Sequence, residues 1–227
     1  MPARPEPMRI ELPGVGPVQV RALDPEVDAV TLHDWLSRDY ARFWGMQGKT
    51  LEEVRDKYRG LLAEGREEMA IALDERSGRP LFVFMAYDPR HDLLQRFYTV
   101  KPGDRGFHVL MGSPGQDPVP ALTFHAFRTI ARWIFRDPTV SRLVGEPDIR
   151  NRKVLARLVQ TGFEFGSVVH LPHKTALMIY MSRERHQALQ DGMPPPNGPV
   201  PLSDRAVKLH MLAGRIGRKL GIYERNW

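Results

Sequence analysis

The sequence predicts an α/β (α+β) fold, a sheet covered by helices, and three observations carry that prediction. Strand-like and helix-like segments are mixed along the chain in the order β–α–α–β–β–β–α–β–α–β–β. The composition is that of an ordinary globular chain: 227 residues, 42% hydrophobic and 26% charged. That length buries a substantial core without covalent staples. There is no internal repeat, and no cysteine occurs, which excludes a disulfide framework, a thiolate nucleophile and a Cys-based metal site.

The elements follow in chain order. Residues 1–8 are proline-rich and expected to be loose. "MRIELPGVGPVQVRAL" (8–23) reads as two short strands around a Pro/Gly turn. In "DAVTLHDWLSRDYARFW" (28–44), Val30, Leu32, Trp35, Leu36, Tyr40 and Phe43 recur at near-helical spacing. Thr50 with Glu53 forms a capping-box pattern at the head of a second helix that ends at Gly65. Residues 69–74 and 80–87 read as a hairpin across "DERSGR", and 93–100 as another short strand. "PGDRGFHVLMG" (102–112) sets a turn before a partly apolar strand with one imidazole, His108, in its middle.

The loop "SPGQDPVP" then enters a heavily apolar helix over 121–135, stopped by Asp137-Pro138. "SRLVGEPDI" is a strand, and "RNRKVLARLVQTGF" is a helix closed by Gly162. "EFGSVVHLP" and "TALMIYMSR" form a final hairpin, with His170, His173 and Lys174 expected in a solvated turn. The predicted organisation is a loose 1–8, a domain over 9–190, a proline-stiffened linker over 191–202 and a basic helical extension over 203–227. That extension has a Ser203/Asp204 cap and apolar residues at 207, 211, 212, 216 and 220.

Net charge is +6 and the pI is about 9.8, a balance that suits a mildly basic enzyme surface or an anionic partner. Residues 203–222 hold no aromatic side chain, so no nucleic-acid partner is expected. The extension could instead pack on the core, self-associate or touch an acidic partner such as a synthetase. The N-terminus lacks an apolar core of signal-peptide length, and no window approaches 18 apolar residues. A soluble, cytoplasmic protein without a membrane partner is expected.

Familiar site motifs are missing: there is no G-x-x-x-x-G-K-[ST], G-x-G-x-x-G, H-E-x-x-H or G-x-S-x-G. The eight histidines lack metal-ligand spacing, and no metal is expected. What remains is a strand (106–112), a Gly/Pro loop (113–118) and a helix start. Free amides and the dipole at such a helix start form an anion site suited to a pyrophosphate; a plain connection is the alternative. A second strand runs through Pro147-Asp148 into a helix starting near Asn151, where Asp148 or Asn151 could simply be the cap.

"PGDRGFHVLMG", "VGEPDIRN" and "GFEFGSVVHLPHKTALMIYM", with "LHDWLSRDYARFWGM" (32–46), make the chain resemble the siderophore-biosynthesis acyltransferases of the GNAT superfamily from about residue 8 to 183. These form hydroxamates on hydroxylysine, hydroxyornithine or hydroxylated diamines. The resemblance implies a GNAT fold with a mixed, mostly antiparallel sheet whose central strands splay to admit acetyl-CoA or another acyl-CoA. It implies His108 and Asp148 as the catalytic pair. The backbone of Val109, Leu110, Met111 and Gly112 would face the pantetheine, and Gly115, Gln116, Ala121 and Asn151 would hold the rest of the coenzyme. Trp44 and Met46 would line the acceptor pocket, although residues on such a face are core by default.

Two departures stand out. "GSPGQDPVPA" does not follow the superfamily's Q/R-x-x-G-x-G/A loop, and Leu158 occupies the place of its thiolate-protonating tyrosine, so water would serve. Two rivals stay open: an N-acetyltransferase of an ordinary amine such as an aminoglycoside or polyamine, and a non-catalytic CoA-binding or scaffolding module.

Overall fold

The structure, a computed structural model, describes residues 5–113, 118–194 and 198–223. The chain divides into two compact units, residues 1–88 with 107–122 and residues 89–106 with 123–227. The C-terminal helix falls within the second unit.

In the first unit, β1 (Met8–Leu12), β2 (Gly16–Ala22), β3 (Glu67–Asp74) and β4 (Pro80–Tyr87) pair antiparallel in succession. The registers Ile10↔Val18, Val20↔Ala72 and Ile71↔Val83 follow the expected strands. Two helices sit between β2 and β3. α1 (Pro25–Leu36) starts with Asp24 as cap and proline at its first position. Asp28, buried near that start, accepts from Arg21 at 2.7 and 2.8 Å and from the Asp24 amide at 2.8 Å. α2 (Leu51–Glu64) carries the complete Thr50/Glu53 capping box and ends at Gly65.

Leu32, Trp35 and Leu36 of α1 and Val54 and Tyr58 of α2 pack on Met69, Ile71, Val83 and Leu110 to form this unit's core. The helical pattern over 28–44 splits in two. α1 stops at Leu36, Arg38 is extended, and Asp39–Trp44 wind as a 3₁₀ turn closed by left-handed Gly45. A 3₁₀ turn takes three residues per turn rather than 3.6, and Tyr40, counted as apolar face, ends exposed.

β5 (Asp104–Met111) begins in the second unit and ends in the first. Within the second unit it pairs parallel with β6 (Arg142–Gly145), and among the described residues that ladder covers only Asp104–Gly106. β8 (Thr175–Ser182) runs antiparallel to both β6 and β7 (Glu164–His170). The result is one mixed eight-stranded sheet, β1-β2-β3-β4-β5-β6-β8-β7, flanked by helices. This is the predicted fold class.

α3 (Leu122–Ile134) and α4 (Arg152–Thr161) match their predicted positions, and Gly162 caps α4 in the left-handed conformation. The predicted strand at 93–100 instead begins with a 3₁₀ turn, Leu93–Arg96, which follows another at Pro89–His91. Asp92 accepts from the Leu94 amide at 2.7 Å, a local bond that competes with a strand ladder. Leu94 still enters the second unit's core with Val144, Val169, Leu171, Ala176 and Met178. α5 (Arg183–Gln190) was not anticipated, because none of its residues is buried and no apolar period marks it. Ser182 caps it, and Arg183 donates to the carbonyls of Phe135 and Val140 at 2.9 and 2.8 Å. α6 (Asp204–Lys219) starts from the expected Ser203 cap.

Candidate active site

In the first unit the centre of interest is His108, half-buried in β5. Tyr87, the last residue of β4, stacks on its ring at 5.0 Å with planes 17° apart. Trp44 meets the imidazole edge-on at 6.2 Å. The imidazole is therefore held between two aromatic rings, an arrangement that fixes its orientation. Of the sequence-predicted residues, the structure brings His108 and Trp44 together. Tyr87 was missed because it reads as the tail of the apolar run "PLFVFMAY"; its polar tip at the strand end was the available signal.

The other first-unit candidates divide. Met46 is only 4% exposed and belongs to the core, its sulfur facing Lys57 Nζ at 3.3 Å. It does not line an open pocket. Leu110 is core as well, whereas Val109 and Met111 are half-buried. The Gly112 amide donates to the Leu81 carbonyl at 2.9 Å. A Cβ at Gly112 would lie 2.7 Å from the Trp35 ring and 2.8 Å from that carbonyl, so close packing demands a glycine there. Gly115 and Gln116 lie outside the described residues. Ala121, just before α3, is the one non-glycine described with positive φ, +56°. The first turn of α3 contains no acidic residue.

In the second unit, Asp148 is stitched to β8: it bridges Ala176, and the amides of Ile149 and Leu177 bond the carbonyls of Thr175 and Pro147. Its carboxylate accepts from Arg150 three times: from the amide at 2.8 Å, Nε at 2.9 Å and Nη2 at 2.6 Å. Burial pushes this carboxyl up, but the Arg150 bonds pull harder and hold it below the usual carboxylate range.

Asn151 is the N-cap of α4, its side-chain oxygen accepting from the Val154 amide at 3.3 Å. Leu158 is core. Lys174, expected in a solvated turn, is largely buried and donates to the buried Glu146 at 3.1 Å. The two stand 28 positions apart, beyond the reach of local reasoning. His170 likewise packs inward, with Nδ1 3.3 Å from Thr175 Oγ1 and its ring against His210 and Tyr223. Among the described residues no group of three or more His, Asp or Glu could hold a metal ion.

A family profile described as "Acetyltransferase (GNAT) domain" matches residues 24–171. The chain is 23% identical over 164 residues to "N(6)-hydroxylysine O-acetyltransferase" of Escherichia coli, covering 72% of this chain and 51% of the relative. It is 28% identical over 110 residues to "N-hydroxyputrescine acetyltransferase" of Acinetobacter baumannii, covering 48% and 51%. The chain spans about half the length of these curated relatives. In backbone it is similar to an uncharacterized protein from Bacillus halodurans, with TM-score 0.70, 21% identity, and coverage of 82% of this chain and 96% of that one. It is also similar to aminoglycoside acetyltransferase AAC(6′)-Ib in complex with coenzyme A, with TM-score 0.66, 23% identity, and coverage of 76% and 99%. At such identities these likenesses speak for the fold alone. The sequence match, which spans His108 and Asp148, decides the membership: the chain belongs to the GNAT acetyltransferase family.

Proposed function

We propose that this chain transfers the acetyl group of acetyl-CoA to the N-hydroxylated amine of a lysine, ornithine or diamine, giving a hydroxamate for siderophore biosynthesis. The observation that carries this reading is His108, half-buried and held between Tyr87 and Trp44, in a chain whose curated relatives are named for N-hydroxylated substrates.

A hydroxylamine nitrogen is a weak base and is unprotonated at neutral pH, so it needs positioning more than activation. The nitrogen attacks the thioester carbon; a C–N bond forms and the C–S bond breaks. The proton lost by nitrogen passes to His108 and is returned through water to the departing thiolate, Leu158 being apolar. The family resemblance assigns Asp148, held ionised by Arg150, as the second member of the catalytic pair. Trp44 forms a wall of the acceptor site, with Met46 behind it in the core.

For the coenzyme, the backbone of Val109, Leu110, Met111 and Gly112 faces the pantetheine. One feature supports this: among the described residues the β5–β6 ladder covers only Asp104–Gly106. The α3 start at Ala121 receives the pyrophosphate, and the lack of acid in its first turn fits an anion. Gly115, Gln116 and Asn151 complete the proposed contacts, Asn151 by holding the first turn of α4.

The test is thiol release from acetyl-CoA with N6-hydroxylysine, N-hydroxyornithine or N-hydroxyputrescine, followed by addition of ferric iron. An N-acylated product chelates iron through two oxygens, whereas an O-acetyl ester does not. That distinction matters because the Escherichia coli relative is named an O-acetyltransferase. The aminoglycoside enzyme's similar backbone favours one second reading, an ordinary amine acceptor, so kanamycin and spermidine are run in parallel. Turnover confined to those amines replaces the acceptor assignment. Coenzyme binding without thiol release from any acceptor overturns the catalytic reading.

A further inference from the structure

α6 is seated unusually. Its buried positions are Gly214 and Gly217. A Cβ at Gly214 would meet the Thr175 hydroxyl and, at 2.8 Å, His170 Nδ1, and Arg218 donates to the Leu171 carbonyl at 3.1 Å. With Gly214 facing the sheet and Gly217 against the Tyr223 ring, Val207 and Met211 are half-buried and four other aliphatic side chains point outward. Leu209, Leu212, Ile216 and Leu220 are 59%, 53%, 49% and 59% exposed. Their spacing, i, i+3, i+7 and i+11, sets them in one stripe about 16 Å long, and Ile222 is exposed just beyond it. An amphipathic helix that served only this fold would bury that stripe.

The charges beside the stripe are equally one-sided. Lys208, Arg215 and Lys219 each precede a member of the stripe, forming a parallel basic row, and Arg205 opens the helix. No Asp or Glu occurs from 205 to 223, and none of these four cations makes an ion pair among the described residues. α2 shows a contrast: Arg55 pairs with Glu52 and Arg59 with Asp56, and Lys49 just before the helix pairs with Glu53. The second unit as a whole has 21 Lys and Arg against 10 Asp and Glu, a net +11, while the first has 12 against 17, a net −5.

We propose that α6 docks this protein onto an anionic lipid bilayer, with the Leu209–Leu220 stripe in the acyl boundary and the Lys208–Lys219 row among the headgroups. A bilayer carrying acidic lipids satisfies both rows at once. Two copies of α6 placed face to face would instead bring the basic rows together. This departs from the expectation of no membrane partner, which rested on the lack of a spanning segment. No described helix is long and apolar enough to cross a membrane; α6 lies on the surface.

The experiment is co-sedimentation of the full chain with phosphatidylcholine vesicles, with and without phosphatidylserine. Binding should require phosphatidylserine, weaken at least about tenfold without it, and fall in high salt. Leu212→Ser with Ile216→Ser should weaken it about tenfold or more with circular dichroism and thermal midpoint unchanged, since both residues are exposed. Lys208→Glu with Arg215→Glu should remove the salt-sensitive part. Failure to bind acidic vesicles, or binding by both double variants as strong as that of the unsubstituted chain, overturns the proposal. Sedimentation velocity without lipid supplies the other outcome. A self-associated chain that the Leu212/Ile216 variant returns to monomer, with no vesicle binding, makes the stripe a protein interface and overturns the lipid assignment. Acetyl transfer is not read in any arm, so the outcome is independent of the proposed reaction.

Discussion

Replacing Asp104 by alanine tests how the start of β5 is held. The Asp104 side chain is 0% exposed and accepts four hydrogen bonds: Arg142 Nε and Nη2, both at 2.7 Å, the Lys101 amide at 2.9 Å and the Tyr98 hydroxyl at 3.2 Å. Burial and the neighbouring carboxylate push the Tyr98 phenol up, keeping it a donor. The two charge-assisted bonds contribute about 1.5 kcal/mol each and the neutral ones about 1 kcal/mol each, roughly 5 kcal/mol together.

Two features reduce that loss. Arg142 is 20% exposed and so reaches water, and its guanidinium keeps the Tyr180 ring face at 4.7 Å. A loss of about 3–5 kcal/mol remains, the usual range for a broken buried pair. For a chain of this length each kcal/mol moves the thermal midpoint by roughly 2–4 °C, so Asp104→Ala should lower it by about 6–20 °C. A cycle with Arg142→Met should show coupling above about 1 kcal/mol. Because Asp104↔Arg142 opens a ladder of only three registered pairs, acetyl transfer should also fall. A midpoint change below about 2 °C, or additive single variants, refutes the claim that this pair pins the two strands.

Other outcomes follow from the same geometry. His108→Ala should lower kcat/KM for the hydroxylamine by about 10²–10⁴ while calorimetric acetyl-CoA binding is retained; near-normal turnover removes the imidazole from the chemistry. Ala121→Gly should raise stability by about 0.5–1 kcal/mol, because left-handed alanine costs about 1–2 kcal/mol and glycine's extra chain entropy returns only part of that; a lower midpoint refutes the strain. His125, His170 and His186 all titrate below the ordinary imidazole value, first through burial, then through nearby Arg128, through His210 and Arg218, and through Arg128, Arg183 and Arg132 respectively. The unfolded imidazoles therefore bind protons first, and the urea midpoint should fall as pH drops from about 7.5 to about 5.5; a rise would refute that sign.

Local signals were enough for much of the fold. Thr50 and Glu53 make the capping box that the structure contains, Gly162 ends α4, Ser203 starts α6, and the alternation in "MRIEL" and "GPVQV" resolves as paired strands. Each of these depends on residues within a few positions of one another, so the chain's order alone specifies it. His108 was legible as a candidate because a lone imidazole in an apolar strand breaks the pattern around it.

What the order of residues could not specify were relations between distant positions. Asp92 turned the start of the expected strand at 93–100 into a 3₁₀ turn, and a polar α5 formed with no apolar period to announce it. Tyr87 reached His108 from another strand, Glu146 matched Lys174, and Met46 sank into the core. On α6 the reversal is sharpest: apolar residues at 207, 211, 212, 216 and 220 mark one packing face, yet Gly214 lets the backbone approach β8, and Leu212, Ile216 and Leu220 turn outward. Sequence patterns record which residues share a face, and only the packed chain decides which face is covered, because close approach and burial are set by partners that lie far away along the polymer.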